Sequence, residues 1–161
     1  MKLKATICID APKERVWQVL ADVVGIPLWA KSIEFAHCEG EQTRGIGTVR
    51  ICQLKGGAIL KETWTAWEEG QSFTYRTVNV ALMKSATNRW SVEDINGKTL
   101  LTSEATVELK GGLFGRLMEP VVRIWSKRLS RESLAALKCL VETGQPFAGK
   151  SADLSVVAAT C

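Results

Sequence analysis

Apolar and polar positions repeat with two different periods along this chain, and the changes of period divide it into elements. In LKATICI, residues 3–9, Leu3, Ala5, Ile7 and Ile9 fall on one side and Lys4, Thr6 and Cys8 on the other, the pattern of a half-buried strand. Asp10 and Pro12 then open a helix in which Val16, Trp17, Val19, Leu20 and Val23 recur at helical spacing. Glu14 sits where its exposed amides favour negative charge. Gly25 and Pro27 stop this helix, and LWAKS is short enough for one further helical turn.

After Ile33 the period returns to two. IEFAHCEG, GTVRICQL, ILKETWTAW, SFTYRTV, ATNRWSVED and TLLTSEATVEL predict six strands, joined by links that carry Gly, Asn or charge at the bends. Such short links favour antiparallel neighbours, because a parallel crossover needs about a dozen residues or more. Asn96-Gly97 is the most specific turn signal among them. From Leu113 the spacing becomes helical: Leu117, Val121, Trp125, Leu129, Ser133, Ala136 and Leu140 follow at threes and fours, with Arg116, Arg123, Lys127, Arg131 and Lys138 over much of the other side. The order is therefore one strand, two helices, six strands and one long helix, an α+β chain. A seven-stranded antiparallel sheet twists and curls, and a helix of about 20 to 25 residues spans over about 30 Å. Such a helix can lie across the concave face, so that each element buries its apolar side against the other.

The 161 residues suit one domain over 1–142, leaving 143–161 as a flexible or loosely packed tail after Gly144 and Pro146. Hydrophobic residues make up 46% and charged ones 24%, ordinary proportions for a soluble globular protein. No run reaches the length of a membrane span, so no integral membrane association is expected. Asp10, Pro12 and Lys13 cut short the first apolar segment, and the chain reads as cytoplasmic. The five cysteines are scattered without a CxxC pair, which writes neither a disulfide framework nor a zinc site. A net charge of +4, mostly spread out, argues against nucleic acid as a partner. A homodimer is left open.

Within GTVRICQLKGGAILKETWTAW, the hairpin register decides one question of chemistry. If Lys55, Gly56 and Gly57 form a three-residue loop, Arg50 opposes Glu62, and Arg50, Cys52 and Leu54 share a face with Leu60, Glu62 and Trp64. A two-residue Gly-Gly turn would put Glu62 on the other face.

The phrases IDAPKERVWQVLADVVGIPLWAKSI and EGEQTRGIGTVRICQLKGGAILKETWTAWEEGQSFTYR, the NRWSVED strand with its Asn-Gly turn, and the closing amphipathic helix carry a resemblance over nearly all of residues 3–142. The chain resembles the polyketide cyclase/dehydrase and lipid-transport superfamily (SRPBCC). This is the helix-grip fold shared with START domains, plant abscisic acid receptors and Bet v 1-like birch-pollen allergens. The resemblance implies an interior cavity for a hydrophobic or amphipathic small molecule, in a binder, a carrier or a ring-forming enzyme. The leading expectation is binding or transport of such a molecule. The alternatives are a polyketide cyclase-like enzyme and an interaction module whose basic helix meets an acidic partner or anionic membrane surface.

The resemblance also favours the Arg50–Glu62 face as the one toward the cavity. There Arg50 offers a fixed fork of donors, and Glu62 accepts a proton-bearing group or, with a raised pKa, serves as acid or base. Trp64, Tyr75, Trp90, Met118 and Trp125 are candidate walls or handles, while Ser133 and Ala136 on the inner helical face leave room that larger residues would fill. Trp29, Leu113 and Phe114 are candidates for a gate, the last two because Gly111, Gly112 and Gly115 make the approach to the long helix deformable. His37 is a lone histidine and a weak catalytic candidate beside Glu62. No metal site, Ser-His-acid triad or cofactor motif is written in the chain, and neither Lys-Gly-Gly segment continues as a phosphate loop.

Overall fold

The structure, a computed structural model, describes residues 1–80 and 83–149, and side chains at all of these except 113–116. Its elements are β1 (Lys2–Ile9), α1 (Lys13–Ala21), a 3₁₀ turn (Ile26–Leu28), β2 (Ile33–Cys38), β3 (Val49–Leu54), β4 (Ile59–Glu68), β5 (Ser72–Val78), β6 (Met83–Ile95), β7 (Lys98–Leu109) and α2 (Leu113–Thr143). The strands form one antiparallel sheet in the order β1-β7-β6-β5-β4-β3-β2, so the first strand closes on the last. Every other neighbour is a hairpin partner, as the short links require.

Turn chemistry sets the registers. Asn96 and Gly97 both have positive φ, the backbone of a tight two-residue turn that pairs Ile95 with Lys98. Lys55-Gly56-Gly57 is a three-residue loop closed by Leu54 N–H donating to the Ala58 carbonyl at 2.8 Å. In consequence Gln53 pairs with Ile59 and Arg50 with Glu62.

Two local expectations are corrected. The second helix is only a 3₁₀ turn and precedes most of LWAKS: Pro27 lies inside it, because its fixed φ suits a helical start. β6 begins at Met83 rather than Ala86. The long helix does begin at Leu113, directly after Gly111 and Gly112, whose φ values of 90° and 52° make a corner that side chains disfavour.

The core lies between the concave face of the sheet and the C-terminal half of α2. Leu134, Ala135, Ala136, Leu137 and Val141 are buried there with Ile7, Ile9 and Leu101 in one hydrophobic cluster. Polar ties hold this half down. Lys138 Nζ donates to the Cys8 carbonyl at 2.8 Å, Arg15 Nε donates to the Val141 carbonyl at 2.8 Å, and the Asp10 amide donates to Glu142 Oε1 at 2.7 Å. In the first half of α2 the side-chain hydrogen bonds of Arg123 and Arg128 run within the helix, to Glu119 and Glu132.

Gly144, at φ 72°, caps α2 with its amide on the Leu140 carbonyl. The chain then turns back, placing Phe147 against the core edge under Lys31, which also bonds the Gly149 carbonyl at 2.7 Å. Residues 150–161, and with them the expectation of a loose LSVVAA segment, lie outside the described residues. Cys8 is disulfide-bonded, whereas Cys38, Cys52 and Cys139 are free.

Candidate functional site

The centre of the concave face is polar where a filled core would be apolar. Alternation along β3 and β4 sends Arg50, Cys52, Leu60, Glu62 and Trp64 inward, and Thr48, just before β3, follows the same parity opposite Trp64. Arg50 is 3% exposed and Glu62 5%. Nε of Arg50 donates to Glu62 Oε2 at 2.7 Å, Nη2 lies 2.6 Å from the same oxygen, and Nη1 donates to the Val23 carbonyl after α1 at 2.5 Å. The other carboxylate oxygen accepts from Thr77 Oγ1 at 3.3 Å on β5, and Asn88 Nδ2 reaches Thr77 from β6 at 3.5 Å. A chain of polar contacts thus crosses four neighbouring strands beneath the helix side of the sheet.

Aromatic rings frame this chain. The Arg50 guanidinium lies 4.9 Å from the Trp64 ring centre and 5.6 Å from that of Tyr75, on the faces that attract cations. Trp64 and Tyr75 are 5.0 Å apart, and Trp29 meets Trp90 edge-on at 5.5 Å. Burial opposes the Arg50 charge, but Glu62, with Tyr75 and Cys52, more than offsets it, so the guanidinium stays protonated. Burial, then the Glu62 carboxylate, holds the Tyr75 phenol well above its ordinary range, against the nearby Arg50 charge. The Cys52 thiol, 3.5 Å from Glu62 Oε2, is pushed up to about 12, chiefly by burial. These groups are held in their protonated forms at neutral pH, suited to donating hydrogen bonds and poorly suited to nucleophilic attack.

Among the described residues, three buried polar atoms have no protein partner: Trp29 Nε1, Trp64 Nε1 and Thr48 Oγ1. Native interiors pair nearly all such groups, with protein or with ordered water. All three belong to residues buried in the core, and Thr48 and Trp64 face each other across the inner surface.

The predicted site residues separate into groups. Arg50, Glu62, Trp64, Tyr75 and Trp90 come together on the sheet. Ala136 is buried in the anchored half of α2, and Ser133 and Met118 are half-buried. Trp125 was expected on the face toward the sheet, but it is 59% exposed, because the first half of α2 carries an apolar band wider than the sheet covers. Trp29, expected near an entrance, is buried against Trp90. Leu113 and Phe114, the other gate candidates, have side chains outside the described ones. His37 is exposed on β2 beside Phe35, and its partner Ile51 marks it as lying on the face opposite Arg50.

Thr48, Thr77 and Asn88 were missed. Strand parity alone would have found Thr48, two residues before Arg50, whereas Thr77 and Asn88 needed the registers of β5 and β6. Glu69 was missed as well. It reads as a turn residue, yet it accepts from Trp17 Nε1 at 2.6 Å and Trp67 Nε1 at 2.9 Å and pairs with Arg44.

Two grooves open on the outside. One of about 620 Å³ runs between α1 and the end of α2, lined by Arg15, Gln18, Asp22, Leu28 and Leu140. The other, about 400 Å³, lies beside Trp17, Arg44 and Glu69. Neither includes the inner polar chain.

The family model of polyketide cyclase / dehydrase and lipid transport matches residues 1–142. The chain belongs to that family. Uncharacterized proteins of Mycobacterium tuberculosis and Mycobacterium bovis are 26% identical to this family member over 108 residues, 66% of this chain and 65% of theirs. The match thus spans just under two thirds of the length of these curated relatives. Among solved structures, a Thermus thermophilus protein superposes with a TM-score of 0.72 at 19% identity, covering 89% of this chain and 99% of its own. XoxI of Bacillus cereus gives 0.72 at 14%, covering 88% and 96%. Ara h 8.0201 gives 0.66 at 14%, covering 89% and 98%. At such identities the likeness shows the fold, a Bet v 1-like helix-grip. Family and fold together fit binding of a hydrophobic ligand.

Proposed function

We propose that the protein binds an amphipathic small molecule between the sheet and α2, its apolar body among the aromatic rings and its polar end at Trp64, Thr48 and Trp29. The observation that carries this reading is the set of orphaned donors beside a self-contained ion pair. Arg50 and Glu62 satisfy one another, Val23 and Thr77, so their charges are already compensated. The indole N–H groups and the Thr48 hydroxyl are not, and an acceptor on a bound molecule would complete them. In this reading the ion pair holds the strands and the α1 end in place, and the orphaned donors select the ligand's polar end.

A binding role also fits the protonation of the site. Tyr75 and Cys52 remain neutral donors, and both Glu62 oxygens are occupied. Native mass spectrometry of the protein purified from its own host tests the proposal. It expects a copurified small molecule that is lost on mild unfolding and carries both an apolar body and a hydrogen-bond acceptor. A protein that emerges empty, and that takes up no anilinonaphthalene sulfonate probe, would overturn it.

A further inference from the structure

The first half of α2 presents an apolar band that none of the described residues covers. Leu117 is 75% exposed and Ile124 72%, with Val121 and Trp125 exposed between and beside them. Their spacing of four, three and one places them on one side of the helix, adjoining the half-buried Met118 and buried Val122. The helix is thus apolar around a wide arc of which the protein covers one edge.

Cations border the other edge. From residue 117 to 132 the helix carries Arg123, Lys127, Arg128 and Arg131 against Glu119 and Glu132. Both carboxylates are engaged, with Arg123 and Arg128. Lys127 and Arg131, exposed and one turn apart, have no ion-pair partner among the described residues. A tryptophan and branched aliphatics beside unpaired basic residues are the composition of a helix that lies in a membrane interface, where apolar side chains enter the acyl boundary and long cationic ones reach back to headgroups.

We infer that this half of α2 docks the protein onto an anionic lipid surface. A second copy is the competing occupant of an apolar face. Pairing two such helices, however, brings the same unpaired cations of both to one seam, and like charges oppose each other there. A bilayer bearing negative headgroups covers the apolar arc and neutralises Lys127 and Arg131 at once. The segment is about 15 residues, roughly 20 Å of helix, ample for interfacial contact and too short to span. Among the described residues no helix is long and apolar enough to cross a membrane.

Co-flotation with vesicles tests this, using pure phosphatidylcholine and an equal mixture of phosphatidylcholine with phosphatidylglycerol at low salt. Flotation is expected with the mixed vesicles, weakly or not at all with phosphatidylcholine, and decreasing as salt rises. Ile124→Asp with Leu117→Asp, and separately Lys127→Glu with Arg131→Glu, should each reduce the bound fraction at least about tenfold. These positions are exposed, so circular dichroism should show both variants folded. Absence of flotation by the wild type, or flotation unaffected by either pair, overturns the inference. So does a concentration-dependent dimer in light scattering that Ile124→Asp abolishes while vesicles are ignored, since the face then belongs to a second copy.

Discussion

Arg50 and Glu62 stand directly opposite each other on β3 and β4, and a single carboxylate oxygen receives Nε at 2.7 Å and lies 2.6 Å from Nη2. Both side chains are almost wholly out of water, so each charge depends on the other for its compensation. Arg50→Met or Glu62→Leu alone should therefore destabilise the fold by about 3 to 5 kcal/mol, as breaking a buried pair does. The double substitution should recover most of that loss, because it leaves no uncompensated charge. Urea unfolding of the four proteins in a double-mutant cycle measures the coupling. Single substitutions costing under about 1 kcal/mol would match an exposed pair and contradict the burial.

Glu69 makes a second clamp, at the surface. Hydrogen bonds from Arg44 first, then Trp67 and Trp17, hold its carboxyl down from 4.5 to about 2. A folded-state pKa depressed in this way adds stability that is fully present above the unfolded value and is lost as pH falls through the folded one. The clamp should accordingly hold at neutral pH and weaken between about pH 4.5 and 2. Tryptophan fluorescence, which reports Trp17 and Trp67, should change over that window in the wild type. Glu69→Gln should show little of this change, and identical titrations of the two proteins would count against the clamp.

Cys52 is buried and its thiol is pushed up to about 12. A thiol reagent acts on the thiolate, so Cys52 should resist labelling by iodoacetamide at pH values where an ordinary cysteine reacts. Partly exposed Cys139 should label first. Peptide mapping after timed labelling distinguishes them, and prompt modification of Cys52 in the folded protein would show that the inner face opens readily.

Ala136 is 1% exposed within the anchored half of α2, between buried Ala135 and Leu137. Ala136→Leu should overpack this contact and cost about 1 to 3 kcal/mol. Thermal unfolding reads the loss. An unchanged midpoint, together with weaker uptake of an apolar probe, would instead mean that the side chain borders open space.

Much of this architecture was legible because single turns carry it. Lys55-Gly56-Gly57 fixes loop length, loop length fixes parity, and parity alone puts Arg50, Glu62 and Trp64 on one face. Asn96-Gly97 does the same for β6 and β7. Trp125 shows the limit. Helical spacing locates an apolar band but says nothing of how much of it a neighbour will cover, and here the sheet stops short. Glu69 shows another: in EEG it has the look of a solvated turn, and although Trp67 lies two residues away, only the packing of Trp17 of α1 against Trp67 and Phe73 brings the second indole to it. The orphaned Trp29, Trp64 and Thr48 atoms were equally invisible, since a missing partner is a property of the folded interior.

The most direct test of the proposed site is the response of the indole N–H signals to a titrated ligand, followed by ¹H–¹⁵N correlation spectra with anilinonaphthalene sulfonate as probe. Its sulfonate supplies the acceptor and its rings the apolar body. Using the Leu117→Asp, Ile124→Asp protein removes uptake on the outer face of α2 from the measurement. The proposal predicts saturable shifts of the Trp29 and Trp64 Nε1–H signals, while those of Trp17 and Trp67, held by Glu69, stay in place. Saturable binding that leaves the Trp29 and Trp64 signals unmoved, or no binding at all, would contradict it.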